Sequence, residues 1–173
     1  TAKAILDGFI ITGGNASGSS CPQACGGGVY NDNGLETLTN LLIVGNRAKH
    51  GGGMYNFNSS RPTINNLIFD GNIASGDGGA MYNNGIYLTA VNIIFYGNQA
   101  DRGGAIYHTS ISTLGAKLRN AILWNNSALT GVANLHNEES ASSPGGSDLS
   151  YGILQDECPV KSACDNWFNA DPR

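Results

Sequence analysis

The chain has 173 residues, of which 40% are hydrophobic and only 13% are charged, and it contains 25 glycines. This composition supports one packed domain and argues against intrinsic disorder. A net charge of −4 without a basic stripe argues against nucleic-acid binding. No apolar run approaches the roughly 20 residues of a membrane-spanning helix. Because no initiating Met or export signal precedes Thr1, we expect a piece of a longer protein whose flanking parts are its first partners.

A six-residue motif returns along the chain with a period of about 26 residues. It reads Gly-Gly-Gly-Val-Tyr-Asn from Gly26, and related forms begin at Gly51, Gly78 and Gly103. A second motif, an apolar residue followed three positions later by Asn, alternates with it at 43–46, 69–72, 95–98 and 123–126. One such unit cannot bury its apolar face alone, so the repetition predicts that the units stack.

Asparagine recurs at the same period in two columns that lie six residues apart within each repeat. We predict that their amides form hydrogen-bonded ladders along the stack. One column is Asn40, Asn66, Asn92 and Asn120; the other is Asn46, Asn72, Asn98 and Asn126, with Asn15 as its expected first member.

The apolar runs beside these asparagines are short and rich in β-branched and aromatic residues, which is typical of strands rather than helices. We therefore predict an all-β fold, namely a right-handed parallel β-helix of about 26 residues per coil and roughly five coils. A propeller would need blades of about 40–45 residues, and a leucine-rich repeat would need a leucine frame that the chain lacks.

We expect one domain in two parts. Residues 1–130 form the coils, with a loop insertion that carries Cys21 and Cys25. Residues 131–173 form an irregular loop, predicted over 131–148, and a C-terminal coil or cap with one more strand over 149–154. This part carries Cys158 and Cys164. Each cysteine pair is expected to form a local disulfide in an exported protein, with a zinc site or free buried thiols as alternatives.

The alternating motifs resemble the polymorphic outer-membrane protein repeats of chlamydiae and of many environmental bacteria. That family carries Gly-Gly-Ala followed by Ile, Leu or Val, and alternates it with Phe-x-x-Asn. Residues 69–72, 95–98 and 103–106 match this pattern in full, and the resemblance covers roughly residues 5–128. The resemblance implies a right-handed β-helix that is exported to the bacterial cell surface. Some members of the family are adhesins.

One tyrosine follows the apolar residue of each glycine motif, at Tyr30, Tyr55, Tyr82 and Tyr107. Strand alternation turns these side chains away from the core. An outward row of tyrosines predicts a flat strip that stacks on sugar rings or anchors a protein partner, such as a host-cell surface protein. The alternative is that the rings stack on one another and stiffen that face.

Acidic residues within the coils are few and form no repeated set. Asp77 and Asp101 stand at similar turn positions before a glycine pair and are the best candidates for a calcium site, with a solvated turn pair as the alternative. A glycosidase would need two facing carboxylates, which the pattern does not indicate. His108 replaces the asparagine of its own column and is expected to cap that ladder. The sequence favours a protein without catalytic residues and without a cofactor.

Three functions follow from this pattern. The first is a non-catalytic β-helical segment of a bacterial surface or secreted protein, acting in adhesion or as a rigid scaffold and spacer outside the cell. The second is a polysaccharide-binding or polysaccharide-lyase-like fragment, and the third is an end-to-end self-assembly module. The lack of acidic clustering on one face favours the first.

Overall fold

The computed structural model describes residues 3–58, 60–85, 87–109, 116–138, 147–155 and 163–168. The regular elements of these residues are all strands, and none of the described residues forms a helix that could cross a membrane. The strands pair in parallel and stack into three sheets along one axis. The predicted all-β parallel solenoid is confirmed.

The strands repeat in the order of a long strand, a two-residue strand and a four-residue strand, with β1 and β2 together in the place of the first long strand. The first half of the chain contains β1 (Ile5–Asp7), β2 (Ile10–Thr12), β3 (Asn15–Ala16), β4 (Val29–Asp32), β5 (Thr37–Val44), β6 (Arg47–Ala48), β7 (Met54–Phe57), β8 (Thr63–Asp70) and β9 (Ile73–Ala74). The second half contains β10 (Met81–Asn84), β11 (Thr89–Tyr96), β12 (Gln99–Ala100), β13 (Ile106–Thr109), β14 (Lys117–Trp124), β15 (Ser127–Ala128), β16 (Leu135–Glu138), β17 (Asp148–Leu154) and β18 (Ala163–Phe168).

Equivalent strands of successive coils lie side by side in register. The described long sheet runs β1-β5-β8-β11-β14-β17-β18, and each of the other two sheets has five strands. Residues that begin the long strands therefore stack in one column: Thr37, Thr63, Thr89, Lys117 and Asp148. At a strand spacing of about 4.8 Å, the seven rungs of the long sheet give an axial length of about 30 Å. Parallel crossovers are right-handed in nearly all proteins, in line with the predicted hand.

The core is the lumen of the solenoid, and alternating side chains of every strand fill it. Each long strand contributes residues such as Ile64, Leu67 and Phe69, all at most 1% exposed, and each four-residue strand contributes its first residue, such as Met81. Equivalent residues stack on one another, as in the Phe69 and Phe95 rings at 5.1 Å. Burial of each such side chain stabilises the fold by about 1.5–3 kcal/mol.

A left-handed residue bends each long strand in its middle. Asn40, Asn66, Asn92 and Asn120 all have positive φ, between 51° and 59°. Asn tolerates this conformation better than most residues because its short polar side chain bonds locally. The side chains point to solvent and form a partial ladder, in which Asn66 Nδ2 donates to Asn40 Oδ1 at 2.6 Å. We call this column the outer ladder.

A second asparagine column closes the turn after each long strand from the inside. Asn46, Asn72 and Asn98 are fully buried, and Asn126 is 7% exposed. Asn72 Oδ1 accepts from both the backbone N and Nδ2 of Asn46, at 3.0 and 3.1 Å, while Asn72 Nδ2 donates to Asn98 Oδ1 at 3.0 Å. We call these four residues the inner ladder. Both predicted columns are therefore ladders, but only one of them is internal.

The start of the inner ladder differs from the prediction. Asn15 pairs in register with Arg47, one position late, and Gly14 occupies the ladder position. Asn46 Oδ1 accepts a bond from the Gly14 backbone N at 2.9 Å, so a backbone donor ends the column. The first turn contains no ladder side chain because Gly14 has none, although Asn46 Nδ2 still donates to the Ile11 carbonyl as the later asparagines do to their equivalents.

Two expectations for the rest of the chain have different outcomes. The predicted strand over 149–154 is confirmed as β17. The predicted loop over 131–148 is wrong at Leu135–Glu138, which forms β16 in register with β13. The glycine pair is missing before β16, but Leu135, the first residue of this strand, still faces the lumen. The division of the domain at residue 130 stays a prediction.

The two cysteine pairs also differ in what the structure describes. Cys21 and Cys25 lie with their sulfur atoms in contact and their Cα atoms 5.1 Å apart, a separation that suits a disulfide. Cys164 lies in β18, but Cys158 falls outside the described residues. The second predicted pairing stays a prediction.

Candidate functional site

The four tyrosines of the glycine motifs form a continuous ring stack on the four-residue strands. Adjacent ring centroids lie 5.6, 4.8 and 5.1 Å apart along the row Tyr30, Tyr55, Tyr82 and Tyr107, and the planes of adjacent rings lie within 25° of parallel. His136 of β16 extends the row, with its ring 5.0 Å from that of Tyr107. We call these five residues the tyrosine stack. Parallel register places each ring over the next, which is why a column of one residue type becomes a stack.

The tyrosine stack lies outside the lumen, as strand alternation predicts, but it is not the open strip that the sequence suggested. Tyr55 is 5% exposed and Tyr107 is 0% exposed. Ala24 and Cys25 of the cysteine loop pack with Tyr55 in a small cluster separate from the main core. The faces of these rings are occupied by neighbouring rings, so Tyr55 and Tyr107 have no free face for a sugar. The stacking alternative describes the geometry.

A column of charged and polar side chains covers the stack from the loops before the glycine pairs. Arg102 donates from Nε to Asp77 Oδ1 at 2.7 Å and from a terminal nitrogen to Asp77 Oδ2 at 3.1 Å. His50 Nδ1 lies 3.4 Å from Asp77 Oδ2. The guanidinium of Arg102 sits 4.8 Å above the Tyr107 ring, and His50 meets Tyr82 edge-on at 5.5 Å. Charge and aromatic rings therefore form one packed layer.

Burial sets the protonation states in this layer. It raises the pKa of Tyr82 and of Tyr107 above the ordinary tyrosine value, with the carboxylates of Asp77 and Glu138 acting in the same direction. Burial lowers the pKa of His50, helped by Lys49 and Arg102 and opposed by Asp77. The tyrosine hydroxyls are thus held protonated and His50 is held neutral, which suits a structural layer better than nucleophilic catalysis.

The predicted equivalence of Asp77 and Asp101 is wrong by one position. Asp77 pairs with Arg102, because Asp77 directly precedes its glycine pair whereas Arg102 separates Asp101 from the next pair. Asp101 instead accepts a bond from the Thr130 hydroxyl at 3.1 Å. Within the described ranges, no three His, Cys, Asp or Glu side chains converge as a metal site. The calcium hypothesis has no geometry to support it there.

A third polar column lies inside the four-residue strands. Asn31 Nδ2 donates to Asn56 Oδ1 at 2.6 Å, and Asn56 Nδ2 donates to Asn83 Oδ1 at 2.8 Å. His108 follows in register, but Asn137 follows His108, so the predicted ladder cap lies within the column rather than at its end. This buried histidine occupies a position inside the column, in register with Asn83 and Asn137.

The outer face of the long sheet carries side chains that the repeated motifs do not predict. Its second half shows an aliphatic column in which Ile68 is 39% exposed, with Tyr96 beside it at 46%. Its first half forms a cleft of about 530 Å³. Arg61 and Tyr87 line this cleft where turns enter β8 and β11. Neither residue recurs in the other coils, so the periodicity of the sequence does not predict them. The available signal was the presence of an Arg and an aromatic residue outside the repeat.

Comparison with known proteins agrees with the motif resemblance in the middle of the chain. Residues 66–84 and 92–109 match the Chlamydia polymorphic membrane protein (Chlamydia_PMP) repeat, which is about a fifth of the chain. The matched stretches run from the bend of β8 to the end of β10, and from the bend of β11 to the end of β13. Searches of curated proteins and of solved structures found no match. The similarity therefore concerns two coils and their fold.

Proposed function

We propose that the chain is a non-catalytic scaffold segment of a bacterial surface or secreted protein. The match of two coils to a membrane-protein repeat supports a place at the bacterial outer membrane or surface, reached through parts of a longer protein. A scaffold needs stiffness along its axis. Adhesion to a host-cell surface is the finer form of this proposal, and it requires an exposed lateral face.

The observation that carries the scaffold role is the continuity of the inner ladder. From Gly14 to Asn134 each link is a hydrogen bond between coils or within the last one, with distances of 2.9–3.1 Å. Each amide also donates to a backbone carbonyl one coil back, as Asn98 Nδ2 donates to the Phe69 carbonyl at 3.0 Å. Removal of one amide from this buried column would leave its neighbours' donors and acceptors without partners, at about 1–3 kcal/mol each.

The placement of the aromatic residues also supports scaffolding over recognition by tyrosines. The tyrosine stack adds ring contacts of about 0.5–1.5 kcal/mol each to every interface between coils. The rings of the stack cover one another's faces, so adhesion would have to use the outer face of the long sheet instead.

Limited proteolysis tests the scaffold role. We expect the folded chain to survive proteinase K between β5 and β17, with trimming confined to the ends and to loops. The variant Asn98→Ala removes one rung of the inner ladder and should make the coils cleavable, whereas Asn92→Ala on the outer ladder should not. Rapid cleavage of the native chain within the strands from β5 to β17 would contradict a scaffold role.

End-to-end association is a second candidate, favoured by one observation at the first rung. Phe9 stands in line with the buried Leu41 of β5 yet is 57% exposed. Sedimentation velocity over a wide concentration range tests this candidate. Association that is weakened by Phe9→Asp would support it, and a monomer at every concentration would reject it.

A further inference from the structure

The cleft on the first half of the long sheet has a floor of regularly spaced polar side chains. Thr63 and Thr89 occupy equivalent positions on adjacent strands, and both are exposed. Asn65 lies beside them and accepts a bond from Asn92 Nδ2 at 3.2 Å. The threonine hydroxyls thus repeat along the axis at the strand spacing of about 4.8 Å, and Asn65 adds an amide beside them. This repeat is close to the length of one sugar residue in an extended polysaccharide.

The walls of the cleft supply an aromatic ring and positive charge. Tyr87 is half-buried and lines the cleft together with Thr63 and Asn65. Lys117 lies in line with Thr89 on the next strand, with Nζ 6.0 Å from the centre of the Tyr87 ring. Arg61 also lines the cleft, at the turn that enters β8. We call Arg61, Thr63, Asn65, Tyr87, Thr89 and Lys117 the basic trough.

The charge of this face is the reverse of that of the chain. The first halves of β8, β11 and β14 with their entry turns, residues 61–66, 87–92 and 116–120, contain Arg61, Lys117 and Arg119 and no carboxylate. The chain as a whole has a net charge of −4. Asp148 on the following strand lies 3.6 Å from Lys117 and partly offsets its charge. A local excess of cations in a cleft attracts anionic ligands.

We propose that the basic trough binds an acidic polysaccharide, a chain of carboxylated or sulfated sugars lying along the solenoid axis. One sugar ring packs on Tyr87, since an aromatic face stacks well on the apolar face of a sugar. The acidic groups meet Arg61 and Lys117, and the Thr63 and Thr89 hydroxyls bond to sugar hydroxyls. This site goes beyond the scaffold role and does not depend on it.

Other polymers fit the trough less well. An extended peptide adds to an open sheet edge, but β8 and β11 are both paired on each side. Nucleic-acid grooves carry several stacking aromatics and many phosphate contacts, whereas the trough offers one tyrosine and few cations. Two hydroxyls at the strand spacing, an amide and one aromatic ring match a polyol.

Affinity electrophoresis and calorimetry of the full chain test the proposal with defined probes. Polygalacturonate tests carboxylated sugars and heparin tests sulfated ones, while dextran and polyglutamate serve as neutral-glycan and acidic-peptide controls. We expect saturable binding of at least one acidic glycan, weakened by salt, and about tenfold weaker in Tyr87→Ala. Arg61→Gln should also weaken binding, because it removes a positive charge that meets the acidic groups. The fold should stay intact, because the Arg61 side chain is exposed.

The matched control is Tyr96→Ala, an exposed tyrosine on the other half of β11. It should bind as the native chain does, and circular dichroism should show all three variants folded. Several outcomes would overturn the proposal: no binding of either acidic glycan, equal binding of dextran, equal or stronger binding of polyglutamate, or an equal loss in Tyr96→Ala. Preference for one acidic glycan would support it and identify the acidic group.

Discussion

The two asparagine ladders have the same residue type and the same period, yet they exist for different physical reasons. In the inner ladder the side chain is what matters: Asn72 is fully buried and satisfies the Asn46 backbone N and the Ile43 carbonyl. In the outer ladder the backbone matters: Asn66 is exposed, has φ of 59°, and bends β8. The comparison teaches that a repeated residue identifies a structural column without revealing whether its side chain or its backbone is required.

The aromatic residues extend this comparison and give the largest expected effect. Tyr107 is fully buried between Tyr82 and His136 and under Arg102. We expect Tyr107→Ala to lower the free energy of unfolding by about 4 kcal/mol, because it leaves a cavity in a closed stack. Urea denaturation measures this. The matched variant Tyr96→Ala should cost less than about 1 kcal/mol, and a small effect at Tyr107 would show that the stack is open after all.

Alanine substitution separates the two ladders directly. Asn72→Ala removes an acceptor from two donors of Asn46 and a donor from the Ile43 carbonyl, so we expect a loss of about 3 kcal/mol. Asn66→Ala places a less suitable residue in a left-handed conformation and should cost about 1 kcal/mol. Urea unfolding of both variants gives the difference, and equal losses would refute the distinction between the ladders.

Glycine and alanine substitutions should differ in opposite directions at the two ladders. Asn66→Gly keeps the left-handed backbone at little steric cost, so it should be at least as stable as Asn66→Ala. Asn72→Gly loses the same bonds as Asn72→Ala and adds backbone entropy, so it should be less stable by about 0.5–1 kcal/mol. Thermal unfolding of the four variants measures both contrasts. The account would be weakened if Gly destabilised position 66 more than Ala does.

The smallest expected effect is a pH dependence caused by two histidines, His136 in the tyrosine stack and His50 in the layer that covers it. Burial lowers the pKa of His50 and of His136 in the fold below the unfolded value of about 6.5. The unfolded chain then binds more protons below that pH, so stability present above about pH 6.5 falls as the pH drops through the folded pKa values. Denaturation at a series of pH values should show this decline.

The double variant His50→Gln, His136→Gln provides the control for this effect and should flatten the decline. The loss caused by Asn72→Ala should stay constant with pH, because amides do not titrate. A decline of equal size in the double variant would assign the pH dependence to other groups.

The sequence was sufficient for the architecture because the repeat itself carries it. The spacing between Asn46, Asn72 and Asn98 predicts the coil, and the alternation around them predicts which apolar residues face the lumen. These features depend on local chemistry that every coil repeats.

The site depended on details that one-dimensional periodicity does not contain. An extra residue before one glycine pair shifts the register, so Asp77 meets Arg102 and not Asp101. Alternation placed the tyrosines outside the lumen correctly, but it could not show that loops such as that of Cys25 would cover them. Arg61 and Tyr87 come together from different coils and only the three-dimensional stack brings them to one cleft.

Hydrogen exchange of the asparagine side-chain amides, followed by NMR in the native chain, tests the central claim without any substitution. We expect slow exchange of the Nδ2 protons of Asn72 and Asn98, which are buried and bonded to the next rung and to a carbonyl. We expect fast exchange of the Nδ2 protons of Asn66 and Asn92 on the exposed outer ladder. Equal rates in the two ladders would contradict the claim that the side chains of the inner ladder, and not those of the outer ladder, join neighbouring coils.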